Sequence, residues 1–235
     1  MLMVRSTFYK ALGIMLLMCG AQFGMFFFRL QRLAESNRLS LEFTIEKSFI
    51  GIFFVAAFIA LFLLLSSTGK SKKAKTAYTL NRLQISEDWI FFWQSLYNIL
   101  CFALLYFIQV IMAMFLCYYY VENSGDSTIT DQTVFLAFYR NSFFHSLLPF
   151  DEPHSVAANF VTLFIAGTVS ALTPMKERHG SGAGIPWYLC FWIVINGFSK
   201  EVGDFGMNLV IYAIGVIILG TTIYFLLTKE VHDGN

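Results

Sequence analysis

The chain has 235 residues, of which 57% are hydrophobic, 18% aromatic and only 13% charged, with a net charge of +1. Soluble domains carry about 25% charged residues, and so few polar side chains would not cover a water-soluble protein of this size. A cytosolic enzyme, a nucleic-acid-binding domain and a disordered chain are excluded, and an all-α multi-pass membrane protein is expected.

A helix needs about 20 apolar residues to cross the hydrocarbon core. In chain order, six segments approach that length: 9–28, 49–65, 90–120, 156–172, 187–198 and 207–227. The first continues without a small-residue cleavage site and reads as a retained span, not a signal peptide. The third is longer than a bilayer requires and should tilt or protrude. The fifth is short, with Pro186 placed to start it and Gly197 near its end.

Six crossings put both ends on one side. With the N-terminus cytoplasmic, the inner loops hold ten basic and five acidic residues, and the outer loops six basic and ten acidic. That distribution follows the preference for basic residues on the cytoplasmic side. The inner 66–88 loop is the most basic, with Lys70, Lys72, Lys73 and Lys75, and it ends in Ser86, Glu87 and Asp88 at the start of the third span. Acidic residues there suit the positive end of a helix. The outer 121–155 loop contains an apolar, aromatic stretch at 134–148, broken by Arg140, Asn141 and His145 and ended by Pro149. A span there would place Arg140 in hydrocarbon at a cost of several kcal/mol, so a helix lying in or dipping into the outer interface is expected. A glycine-rich inner linker is expected over 174–186.

Common catalytic signatures are missing. Gly69-Lys70-Ser71 resembles the end of a phosphate-binding loop, but position 64 is Leu and a membrane helix precedes it. The four cysteines, Cys19, Cys101, Cys117 and Cys190, lie in apolar runs without a CxxC, where cysteine acts as a small soft apolar residue. No HExxH or GxSxG occurs. A membrane-embedded CAAX-type protease or bacteriocin-immunity relative would have to use Glu42, Glu46, His145 or His154, and the two glutamates at the edge of the second span have a simpler role in solvating it. No cofactor and no metal site is expected.

No charged residue lies at the centre of a span, which argues against a proton relay or a voltage sensor. The third span does carry Gln94, Asn98 and Gln109 on one face, at 3.6 residues per turn. Such a stripe either hydrogen-bonds neighbouring helices or lines a substrate path, and Asn196 in the fifth span presents the same choice. Gly20 with Gly24, and Ala56 with Ala60, offer places for close helix approach.

The inner loop between the second and third spans reads Thr76-Ala-Tyr-Thr-Leu-Asn-Arg-Leu-Gln-Ile-Ser-Glu. It resembles the basic Tyr-Thr-Leu-x-Arg-Leu segment of bacterial ABC-transporter permease subunits of the six-span exporter class. The resemblance implies that Tyr78, Leu80, Arg82 and Leu83 form a coupling helix seated in a groove of a separate ABC ATPase subunit. It also implies a second permease subunit enclosing the path, an inner-membrane location amid lipid, and no catalytic chemistry in this chain. One departure is visible. That family often places re-entrant helices between spans five and six, whereas here that loop is only 199–206 and the long outer segment follows span three. A non-catalytic subunit of a larger membrane complex, with 121–155 as its outer contact surface, is the competing expectation.

Overall fold

The computed structural model describes residues 2–35, 41–68, 86–123, 131–149, 152–179, 182, 184–198 and 205–233. Among them the chain is helical, with no strand. The helices are α1 (Leu2–Glu35), α2 (Leu41–Lys47), α3 (Ile50–Ser67), α4 (Glu87–Asn123), α5 (Asp131–Arg140), α6 (Ser142–Leu147), α7 (Pro153–Arg178), α8 (Ile185–Gly197) and α9 (Phe205–Asp233). Five of them, α1, α3, α4, α7 and α9, are long and apolar enough to cross a membrane. The chain is a multi-pass membrane protein. The expected fifth span corresponds to α8, whose 13 residues rise about 20 Å at 1.5 Å each, short of the roughly 30 Å hydrocarbon core.

Side-chain contacts fix the directions of the helices. Asn98 of α4 meets Ser170 of α7, while Tyr106 and Asn159, further from that level, both reach α6. The α4 and α7 helices are therefore antiparallel, and theirs is the most extensive helix pair in the bundle. His154 near the start of α7 faces Phe205 at the start of α9, and His179 at the end of α7 faces Phe225, so these two helices are parallel. Stacked and edge-on aromatic rings fill the space between α3, α4 and α8. Phe58 lies 4.6 Å from Phe102, Phe54 lies 4.9 Å from Phe198, and Phe62 lies 5.3 Å from Phe191, between ring centres. With Phe62 also near Trp187, α8 runs antiparallel to α3.

At one end of the bundle α3 finishes, α4 begins and α7 finishes with Lys176 and Arg178 in its last turn. Here Gln94 donates to the Thr68 carbonyl at 3.5 Å, and a His179 ring nitrogen lies 2.9 Å from a Glu87 carboxylate oxygen. Lys176 sits over the Phe225 ring, 5.5 Å from its centre. We call this the basic end. The coupling positions Tyr78, Leu80, Arg82 and Leu83 and the lysine cluster lie outside the described residues.

Helix α7 departs from the expected boundaries. The span does not stop at 172 and the linker does not begin at 174: the helix continues through Pro174 to Arg178. Proline inside a helix removes one backbone donor. Nearby hydroxyls bond back onto the same helix, Thr173 donating to the Val169 carbonyl and Ser170 to the Gly167 carbonyl. Every residue from Ile165 to Met175 is buried, so surrounding helices hold the backbone in place where proline alone would break it.

Candidate functional site: a buried helical turn closing one end of the bundle

Opposite the basic end, the chain between α4 and α7 does not stay on the surface. Helix α5 exposes Phe135, Leu136 and Tyr139. The short α6 turns inward, with Phe144, His145, Ser146 and Leu147 all buried. Asn141 starts it, its side-chain oxygen accepting from the Phe144 backbone N–H at 3.1 Å. This is an N-cap. At the other end, the carbonyls that a helix leaves unpaired go to neighbouring helices. Asn159 of α7 donates to the Ser146 carbonyl at 2.7 Å, and the Tyr106 hydroxyl of α4 donates to the Leu147 carbonyl. The Ser146 hydroxyl donates to the Phe198 carbonyl, just past α8, at 3.0 Å.

The fourth wall is α3. The Phe143 ring lies directly on Gly51, so close that a Cβ there would come within 2.9 Å of the ring. Helix α6 is thus a plug wedged among α3, α4, α7 and α8, in a site only a glycine opens.

Two features connect this plug to the basic end. Asn98 donates to the Ser170 hydroxyl at 2.8 Å, both buried. One turn away Gly167 meets the α4 backbone itself, since a Cβ on it would lie 2.8 Å from the Ile99 nitrogen and 2.9 Å from its Cα. The α4–α7 pair is therefore a tightly joined strut with the plug at one end and the basic end of the bundle, with Lys176 and Arg178, at the other.

The polar positions expected along the third span fall at three levels and meet three different elements. Gln94 reaches the end of α3, Asn98 reaches α7, and Gln109 accepts from Gln22 of α1 at 2.8 Å. They do not converge on one space. Gln22 also donates to the Ile50 carbonyl at 3.1 Å, which ties α1, α3 and α4 together where α3 begins. Asn196 is exposed and donates to the Trp192 carbonyl of its own helix. Sequence reasoning missed Gln22, Tyr106, Asn159 and Ser170, whose partners are distant in sequence.

Beside the plug, between α2, α3, α6 and α8, lies an open cavity of about 500 Å³. Glu46, Phe49, Asn141, Phe143 and Phe198 are among its walls. Phe49 joins α2 to α3 with φ 53°, the one non-glycine residue with positive φ among those described. This left-handed conformation costs about 1–2 kcal/mol in an ordinary L-residue. A second cavity of about 550 Å³ between α4, α7 and α9 is lined almost wholly by apolar side chains.

Of the residues an enzyme reading would need, the two histidines meet different neighbours. His145 is buried in α6, edge-on to Tyr139, whereas His154 lies 3.6 Å from Glu152 at the start of α7. The Glu42 side chain lies outside the described residues. Among the described residues no group of three or more His, Cys, Asp or Glu could hold a metal ion. No protein-family model, curated protein or solved structure matches the chain.

Proposed function

We propose that this chain is the permease subunit of an ATP-driven exporter in a bacterial inner membrane. It crosses the membrane six times, with α8 as the short fifth crossing and both ends in the cytoplasm. The 66–88 loop docks on a separate ATPase subunit through Tyr78, Leu80, Arg82 and Leu83, and a second permease subunit completes the path. The chain itself performs no covalent chemistry.

The observation that carries this reading is the α4–α7 strut. The resembling segment lies in the sequence between Thr68 and Glu87, and these two flanking points are held by Gln94 and His179. A displacement of the loop therefore acts on the end of α3 and the base of α4, and through His179 on the end of α7. Helices α4 and α7 supply Tyr106 and Asn159, which grip the plug at the far end. A partner that binds one conformation of the loop better than another shifts the population of plugged and unplugged states by that difference in affinity. Closely packed helices move as units because cores resist continuous deformation.

The test is co-expression of this chain with any ABC ATPase that a neighbouring reading frame encodes. The two proteins should purify together from detergent, and Arg82→Glu should lower transport-coupled ATP hydrolysis at least tenfold while leaving the folded membrane subunit intact. Normal coupling in that variant removes the docking assignment. Failure to recover any ATPase with the chain, alongside recovery of other membrane subunits, favours the competing role as a non-catalytic member of a larger complex.

A further inference from the structure

From the cavity beside the plug, we propose a binding site for a bulky lipophilic organic cation. Its volume, about 500 Å³, is within the range of small-molecule sites. Its walls are mainly aliphatic, and three phenylalanines stand around it: Phe49 half exposed, Phe143 partly buried, and Phe198 at 1% exposure. Aromatic faces attract cations through their quadrupole. Glu46 lines the same space with an exposed carboxylate that makes no described ion pair or side-chain hydrogen bond. Among the described residues no basic side chain lines the cavity. One negative charge among phenyl rings and aliphatic carbon selects a ligand that carries positive charge without a tightly held hydration shell, such as a quaternary ammonium or phosphonium ion.

The left-handed backbone at Phe49 supports the assignment. Strained non-glycine residues gather at ligand sites, and this one places an aromatic ring at the cavity wall next to Glu46. A ligand there also touches the plug directly, through Asn141 and Phe143. As the identity of an exported substrate class, the inference rests on the permease reading. As a binding site it concerns this chain alone.

The experiment uses the full chain in lipid nanodiscs and measures equilibrium binding of radiolabelled tetraphenylphosphonium, with empty discs as the baseline. Tetraphenylborate, of the same shape and opposite charge, is the control. The parent chain should bind the phosphonium above baseline and show no such excess for the borate. Glu46→Gln should weaken phosphonium binding at least tenfold, Glu46→Lys should abolish it, and Val55→Trp should block it by filling the cavity. The thermal transition of each sample verifies folding. Equal excess binding of both ions, phosphonium binding no greater than in empty discs, or unchanged affinity in Glu46→Gln each overturns the proposal. Phosphonium binding without a co-purifying ATPase leaves this site standing and removes the transport reading. A co-purifying ATPase with no phosphonium binding does the reverse.

Discussion

Helices α7 and α9 run side by side in the same direction, yet they occupy opposite kinds of environment. In its most apolar stretch α7 is 72% buried inside the protein and α9 only 28%. The buried helix is also the less apolar of the two. Its interior face carries Asn159, Thr162, Gly167, Ser170 and Thr173, whereas α9 turns Leu209, Val216, Ile217, Ile223 and Leu227 outward. In water the ordering would be reversed. In a bilayer, lipid tails are as apolar as leucine, so no hydrophobic force draws a leucine face inward. Small residues that admit a neighbouring backbone and polar groups that need partners are what belong inside. The comparison teaches that in this chain the weakest apolar signal marks the structural centre.

The difference can be broken most severely at Gly167. Gly167→Leu forces α4 and α7 apart and should destabilise the protein by about 3 kcal/mol, near the upper end of overpacking costs, read as a lowered thermal transition in nanodiscs. At Val216 on α9, 69% exposed, the larger side chain of Val216→Leu should change stability by less than about 0.5 kcal/mol. Next comes the grip on the plug. Asn159→Leu leaves the buried Ser146 carbonyl without its donor and should cost about 1–3 kcal/mol. Because Tyr106 holds the adjacent carbonyl, the double variant Asn159→Leu, Tyr106→Phe should depart from additivity by at least about 0.5 kcal/mol. The smallest effect is expected inside the strut, where Ser170→Ala removes one interhelical hydrogen bond worth about 0.6 kcal/mol. If Ser170→Ala proves costlier than Gly167→Leu, polar pairing rather than close backbone approach holds α4 to α7.

The helical, membrane-spanning character was legible because runs of Phe, Leu and Ile have only one stable home. The extent of α7 was not, since Pro174 ordinarily ends a helix and only the surrounding elements keep it continuous. Helix α5 exposes Phe135, Leu136 and Tyr139, and α6 goes inward. Arg140 and Asn141 argued against a membrane span there, and the structure places Arg140 at the end of α5 and spends Asn141 as a cap. Gly20 and Gly24 looked suited to close packing, yet neither has a neighbour within 4 Å of a Cβ position. Gly167 and Gly51 serve that purpose instead. Spacing within one helix identifies small residues, and the partner that needs them lies some 70–90 residues away in sequence. The same separation hid the bonds of Asn98 and Gln109, whose polarity was visible but whose neighbours were not.

The plug has a consequence for how such a chain can diverge. Two of the bonds that hold α6 from outside take hold of its main chain: the carbonyls of Ser146 and Leu147 receive Asn159 and Tyr106. Main-chain carbonyls are the same for every residue type. A descendant could therefore rewrite much of the α6 sequence and keep the plug seated, provided an amide and a phenol remain on the two long helices and position 51 stays small. Resemblance between distant descendants would then survive in the holders rather than in the element they hold.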